Sequence, residues 1–418
     1  MKILIASIGS TGDVAPYTGL GRILQDAGHH VALATHAQFA PLVSSAGLEF
    51  RHLPSSPRDH VPSPSHWMPS RIDGVRGQLA ALRSFAPFLP QIADALLTAA
   101  RHDTDVMLLG GTTTLLGKAI ADALRLPSAA VLLQPHSPTA DWPPMLLGRH
   151  SLGRIGNRAA GQFAADLYLA GSAPLARKMR VELGLAAEPL RRQRAALTRW
   201  PIWYGFSPSV VPRPREWPDT TRISGYWRPH SPPHWRPSSL LKDFLAAGPP
   251  PVYIGFGSMM PAHTERLARI ALTALRRARV RGIIHTGWAG LDVSGSDVLT
   301  IHDTCHQWLF PRTAAVVHHC GPGTAAAGLR AGVPTVPVPV YNDQTFWANR
   351  LRHLGVSPGA IALADLTPER LAEAMAHATR APALRQAAET ISATLVAEEG
   401  PDLTLSAFDD LIRTHATL

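Results

Sequence analysis

Twice along this chain an uninterrupted apolar run ends in a glycine-containing turn and passes into a helical pattern. "KILIASIGSTGD" opens the first half and "PVYIGFGS" the second. Runs without polar alternation belong to parallel strands covered on both faces. "HHVALAT", "DVMLLGG" and "SAAVLLQ" follow the first start, and "GIIHTG", "VLTIHD", "AAVVHH" and "TVPVPV" the second, separated by helical or turn material. Such alternation, begun twice, predicts an α/β chain of two Rossmann-like domains with parallel sheets, facing each other across a cleft. Ligands in such sheets lie at the carboxyl ends of the strands. A length of 418 residues agrees, because single cores rarely grow past about 250–300 residues.

The expected boundaries are residues 1–228 for an N-terminal domain, 229–249 for a proline-rich linker and 250–395 for a C-terminal domain. A helical segment, 396–418, is expected to pack back toward the N-terminal domain. The first helix is expected to begin near Pro16, since proline suits a first turn. Between Pro135 and about Trp217 the pattern loosens into loops around helical pieces such as "QFAADLYLAGSAPLARKMRVEL".

Composition and spacing disfavour several functions. The formal net charge of +10 comes from arginines dispersed along the whole chain, which reads as a compositional bias and not a nucleic-acid stripe. A weak attraction to an anionic membrane surface remains compatible with it. The cluster Arg191, Arg192, Arg194 reads as a solvated helix face. Two cysteines, Cys305 and Cys320, supply neither a disulfide framework nor a zinc set. The first apolar run is too brief for a signal peptide, and no stretch approaches the roughly 20 apolar residues of a membrane span. These features predict a soluble, cytoplasmic protein, monomer or homodimer. Dinucleotide binding is disfavoured because the first turn lacks the G-x-G-x-x-G spacing and the second strand runs into His36 instead of a ribose-binding acid.

"VVHHCGPGTAAAGLRAGVPTVPVPVYNDQ", Val316 to Gln344, carries the densest chemistry. If "AAVVH" is a strand, His318, His319 and the turn Gly321-Pro322-Gly323-Thr324 sit at its carboxyl end, just before a helix. Helix-terminal N–H groups and close backbone approach at glycine make an anion site, and a diphosphate is its natural guest. His319, the Thr324 hydroxyl and Ser258 could add donors. The alternative is that both histidines merely finish a strand. Asp343 and Gln344 follow the next strand end, where a carboxylate and an amide suit sugar hydroxyls; taken alone, Asp343 reads as a helix N-cap.

These motifs, with the N-terminal "GSTGDVAPYTGLGRILQDAGHHVALATH", resemble those of family-one glycosyltransferases of the GT-B fold, closest to the sterol glucosyltransferase and bacterial natural-product branch. The resemblance covers essentially the whole chain. It implies acceptor binding by the N-terminal domain and nucleotide-sugar binding by the C-terminal one. It assigns His319, Gly323 and Thr324 to the diphosphate, Ser258 to its phosphate side, Asp343 and Gln344 to the sugar, and His306 and Trp308 to the frame of the base. Cys320 and Pro322 depart from that branch, which usually has Gly and Ala there. Ala327 stands where plant members carry a ribose-binding Glu, and Asn342 replaces a common Gly.

The expected reaction is inverting transfer of a hexose from a UDP- or dTDP-sugar to a hydroxyl of a hydrophobic small molecule such as a polyketide or sterol. Asp13 is the expected general base; its alternative is a turn cap at the start of the helix. His36 is a weaker candidate base. Ser10, Thr11 and Trp142 are expected in the acceptor pocket. Asp103-Thr104-Asp105 matches a metal-binding D-x-D, but it precedes a strand, so neither metal nor cofactor is expected. A catalytically silent auxiliary protein, or an epimerase or hydrolase of the same fold, is the alternative.

Overall fold

The computed structural model describes residues 1–54, 88–145, 150–186, 188–230, 235–257, 264–286, 297–302, 304–340 and 343–416. They form two compact units: the residues up to 230 with Gly400–Ala416, and 235 to Glu399.

The first unit is built on seven parallel strands: β1 (Lys2–Ala6), β2 (His30–Thr35), β3 (Glu49–His52), β4 (Val106–Leu109), β5 (Ser128–Leu132), β6 (Ile202–Tyr204) and β7 (Thr221–Ile223). Their order is β3-β2-β1-β4-β5-β6-β7. Ile3, Leu4 and Ile5 are buried, as are Val106 to Leu109, because helices cover both faces of the sheet. Each such side chain contributes about 1.5–3 kcal/mol on burial. The strands β3, β6 and β7 have no counterpart in the sequence reading. β3 is only half-buried and β6 and β7 have three residues each, so none produces a long apolar run.

Helix α1 (Thr11–Asp26) begins a full turn earlier than Pro16. Ser10 caps it, with Asp13 at the third helical position completing a capping box; Pro16 therefore lies inside the helix. Helices α2 (Ala40–Ser45), α3 (Leu89–Arg101) and α4 (Thr114–Leu124) follow. The helical piece expected at 162–183 lies, but for its last residue, within the 30-residue helix α5 (Gly153–Glu182), which starts earlier than that piece, and the arginine cluster stands on the helix α6 (Leu190–Arg199). Helix α5 buries only scattered residues such as Ala164, Leu169 and Met179, so its apolar period is faint.

The second unit has five parallel strands, β8 (Val252–Gly255), β9 (Gly282–His285), β10 (Val298–Ile301), β11 (Ala315–His318) and β12 (Thr335–Pro337), in the order β10-β9-β8-β11-β12. Its helices are α7 (Ser239–Ala246), α8 (Thr264–Ala278), the short α9 (His306–Leu309), α10 (Pro322–Arg330), α11 (Gln344–His353), α12 (Pro368–Arg380) and α13 (Pro382–Ala397). Helix α7 falls within the expected linker, capped by Ser238 and anchored by the buried Leu241. The last helix, α14 (Asp402–Ala416), belongs to the first unit, where Thr404 Oγ1 donates to the Ser224 carbonyl at 3.0 Å.

In both sheets the strand that starts the series lies beside the fourth, β1 by β4 and β8 by β11. The connections leave to opposite sides at that point, opening a crevice at the carboxyl ends. Among the described residues no helix is long and apolar enough to cross a membrane.

Candidate active site

The crevice of the second unit collects the chemistry. Because β8 pairs with β11, with His318 opposite Gly255, the turn after β8 meets the turn after β11. A Cβ on Gly257 would come within 2.5 Å of His319 Cε1, and one on Gly321 within 2.6 Å of His319 Nε2. Two backbone segments without side chains thus clasp the imidazole, which is 8% exposed. Burial pushes His319 down to about 4, opposed by a hydrogen bond with the Gly255 backbone, so the ring is neutral at pH 7.

His318 is fully buried. Its Nδ1 accepts the Cys320 N–H at 3.1 Å, which places the ring proton on Nε2. Cys320 itself adopts φ +68°, a left-handed conformation that favours glycine. Burial raises its thiol well above the usual range.

Gly321 caps α10, and Pro322 is its first residue. Proline lacks an N–H, so the orphan donors of this first turn are those of Gly323 and Thr324. Nothing lies within 4 Å of the point where a Cβ on Gly323 would stand. An anion can therefore approach the helix end directly, beside the half-exposed Thr324.

Asp343 precedes α11 but does not cap it through its side chain; its Oδ2 accepts the Trp347 indole N–H at 2.9 Å. Gln344 Oε1 accepts the Val340 N–H at 2.7 Å. Each group is held by a contact within its own loop and helix, which fixes its direction. Ser258 and Asn342 lie outside the described residues.

His306 stacks on Phe310, centroids 4.4 Å apart, and its Nε2 lies 3.3 Å from the Tyr253 hydroxyl. Burial, then His285 and His319, push it down to about 3. Trp308 stands between Trp235, at 5.7 Å, and the Arg312 guanidinium, 4.3 Å from its ring.

In the first unit the turn after β1 holds Asp13 half-buried. Its Oδ2 accepts both the Ser10 N–H and the Ser10 hydroxyl, each at 2.8 Å. Ser10 therefore orients the carboxylate, and Thr11 is exposed in the first helical turn. Burial raises the Asp13 pKa, with the Ser10 bonds opposing. His36 is buried at the end of β2. Trp142 is half-exposed and packs edge-on against the buried Trp217, which also contacts Tyr204.

The chain matches two family models, a glycosyltransferase family 28 N-terminal domain over residues 3–108 and an erythromycin biosynthesis protein CIII-like C-terminal domain over 296–408. It is 34% identical to an O-mycaminosyltylonolide 6-deoxyallosyltransferase of Streptomyces fradiae, across 100% of this chain and 99% of that protein. The chain is a family-one GT-B glycosyltransferase.

A sterol 3-beta-glucosyltransferase of Arabidopsis thaliana is 32% identical over 98% of this chain and 68% of its own length. Among solved structures, the glycosyltransferase VinC in complex with dTDP shares the fold with a TM-score of 0.69 at 21% identity, 100% of both chains being covered.

In this glycosyltransferase the D-x-D residues stand at the amino end of β4, away from the carboxyl-end crevice of that sheet. The Asp105 carboxylate accepts the Lys2 N–H at 2.8 Å, and Asp103 pairs with the Lys2 ammonium. Three site residues escaped the sequence reading: Gly257, Tyr253 and Trp347. The "GFGS" run after an entry strand was a signal for the first. Tyr253 and Trp347 read as ordinary core aromatics, and only packing ties them to His306 and Asp343.

Proposed function

We propose that this glycosyltransferase moves a hexose, with inversion and without a metal, from a UDP- or dTDP-sugar to a hydroxyl of a hydrophobic small molecule. The observation that carries the donor assignment is the unobstructed first turn of α10 beside the clasped His319. The N–H groups of Gly323 and Thr324, the Thr324 hydroxyl and His319 take the diphosphate. His306 and Trp308 frame the base, and Asp343 with Gln344 takes the sugar hydroxyls.

Asp13 accepts the acceptor's hydroxyl proton as that oxygen bonds to the anomeric carbon. The bond from the anomeric carbon to the diphosphate breaks, and its electron pair leaves on the diphosphate. Fixed helix-end dipoles stabilise this departing charge at no reorganisation cost. The tethering of Asp103 and Asp105 to Lys2 supports a reaction that does not use them. A macrolide-type or sterol-like acceptor fits the named substrates of the two relatives and the half-exposed Trp142, which the buried Trp217 and Tyr204 back from the core.

The test is thermal shift with UDP and dTDP on the wild-type chain and His319→Ala. Binding to the native state alone raises the melting temperature by mass action. A shift with one nucleotide that His319→Ala diminishes supports the assignment; equal shifts in both proteins remove His319 from the site.

A further inference from the structure

Helix α5 carries an apolar stripe on its outer face that nothing among the described residues covers. Leu152, Ile155, Phe163 and Val181 are 65%, 88%, 59% and 59% exposed. With the exposed Ala159 and Ala170, they follow one another at spacings of three, four, four, seven and eleven residues, all of which return to one side of the helix. Single exposed apolar residues are ordinary, but a stripe several turns long marks an interaction surface.

The flanks are basic. The acids here are engaged: Asp166 with Arg194, Glu182 with Lys178, and Glu188 with Arg180. Arg158 and Arg177 on α5, and Arg191 and Arg192 on the adjoining α6, are exposed without an acidic partner among the described residues. The positive charge around the stripe is therefore not cancelled.

We propose that the outer face of α5, with the arginines of α6, docks on a membrane surface rich in anionic phospholipid. The apolar stripe sinks into the headgroup–acyl boundary and the arginines meet lipid phosphates. Charge selects this occupant over a second copy of the chain, because a symmetric dimer through this face would set the same unpaired arginines against each other in a protein of net charge +10. The inference is independent of the donor assignment.

Flotation of the intact protein with vesicles is the test. Binding is expected to vesicles containing about 30% phosphatidylglycerol and not to pure phosphatidylcholine, and to weaken as salt screens the arginines. The double variant Ile155→Glu/Phe163→Glu should lower bound protein by at least about tenfold. Arg191→Ala/Arg192→Ala should lower it by roughly threefold to tenfold. Since these side chains are exposed, the variants should melt as the wild type does. An unbound wild type, or undiminished binding by the glutamate variant, overturns the proposal. So does a dimer in sedimentation velocity that Ile155→Glu dissolves, which would assign the face to a second copy.

Discussion

Gly9 and Asp13 interlock: Gly9 holds φ +146°, and a Cβ there would stand 2.5 Å from Asp13 Oδ2, the oxygen that Ser10 grips with two hydrogen bonds. The glycine leaves room for the carboxylate, and Ser10 aims it. Gly9→Ala should therefore strain the backbone and displace the carboxylate together. We expect a loss of about 1–3 kcal/mol in urea unfolding, accompanied by a fall in turnover.

Asp13→Asn separates catalysis from capping. Asparagine retains an oxygen for the Ser10 donors but cannot take up the acceptor's proton. Turnover should fall by about 10²–10⁴-fold while the melting temperature and the nucleotide-induced shift persist. Near-normal turnover would leave Asp13 only its capping role. Because burial raises the Asp13 pKa, activity should rise with pH on the acid side, at higher pH than an ordinary aspartate would give.

The Asp343–Trp347 bond gives a test of orientation. Trp347→Phe removes the indole donor and keeps most of the apolar bulk of a residue that is 1% exposed. If the tether aims Asp343 at the sugar, the KM for the sugar nucleotide should rise by roughly five- to tenfold, in line with about 1–1.5 kcal/mol for one hydrogen bond. Affinity for the free nucleotide diphosphate should hardly change, and equal loss for both ligands would mark the bond as structural.

Cys320 offers a backbone test. At φ +68° a non-glycine residue costs about 1–2 kcal/mol. Cys320→Gly and Cys320→Ala both lose the buried sulfur, so their difference isolates that cost. The glycine variant should be the more stable of the two in equilibrium unfolding, and an alanine variant of equal stability would show that the turn relaxes.

Burial of neutral histidine predicts the acid limb of stability. Burial, followed by the nearby His319 and His306, pushes His318 down to about 3, against about 6.5 in an unfolded chain. Below the unfolded value the unfolded chain binds the proton first. The stability that His318 lends at neutral pH is thus lost as pH falls from about 6.5 toward 3. His318→Gln should flatten the unfolding free energy between about pH 5.5 and 4 by up to roughly 1.4 kcal/mol per pH unit. An unchanged slope would show that His318 does not titrate in this way.

Some of this was settled by the order of residues alone. Apolar runs that lack alternation can be satisfied only as strands buried on both faces, so "KILIASI" and "PVYIGFGS" fixed two parallel series and put Asp13 and His319 at carboxyl strand ends. The left-handed turn at Cys320 was not legible, because cysteine carries no preference for it; nor were the first turns of α5, whose buried stripe is too sparse to repeat. Helix α1 starts at Thr11 and not near Pro16 because a capping box outweighs one proline placed beyond the first turn. What the tertiary structure decided was adjacency. Gly257 clasps His319 because β8 pairs with β11, two strands about 60 residues apart, and that pairing follows from how helices cover a twisted sheet. Asp343 turns to Trp347, and Ser10 to Asp13, because half-buried carboxylates stay charged only where donors replace the water they have lost.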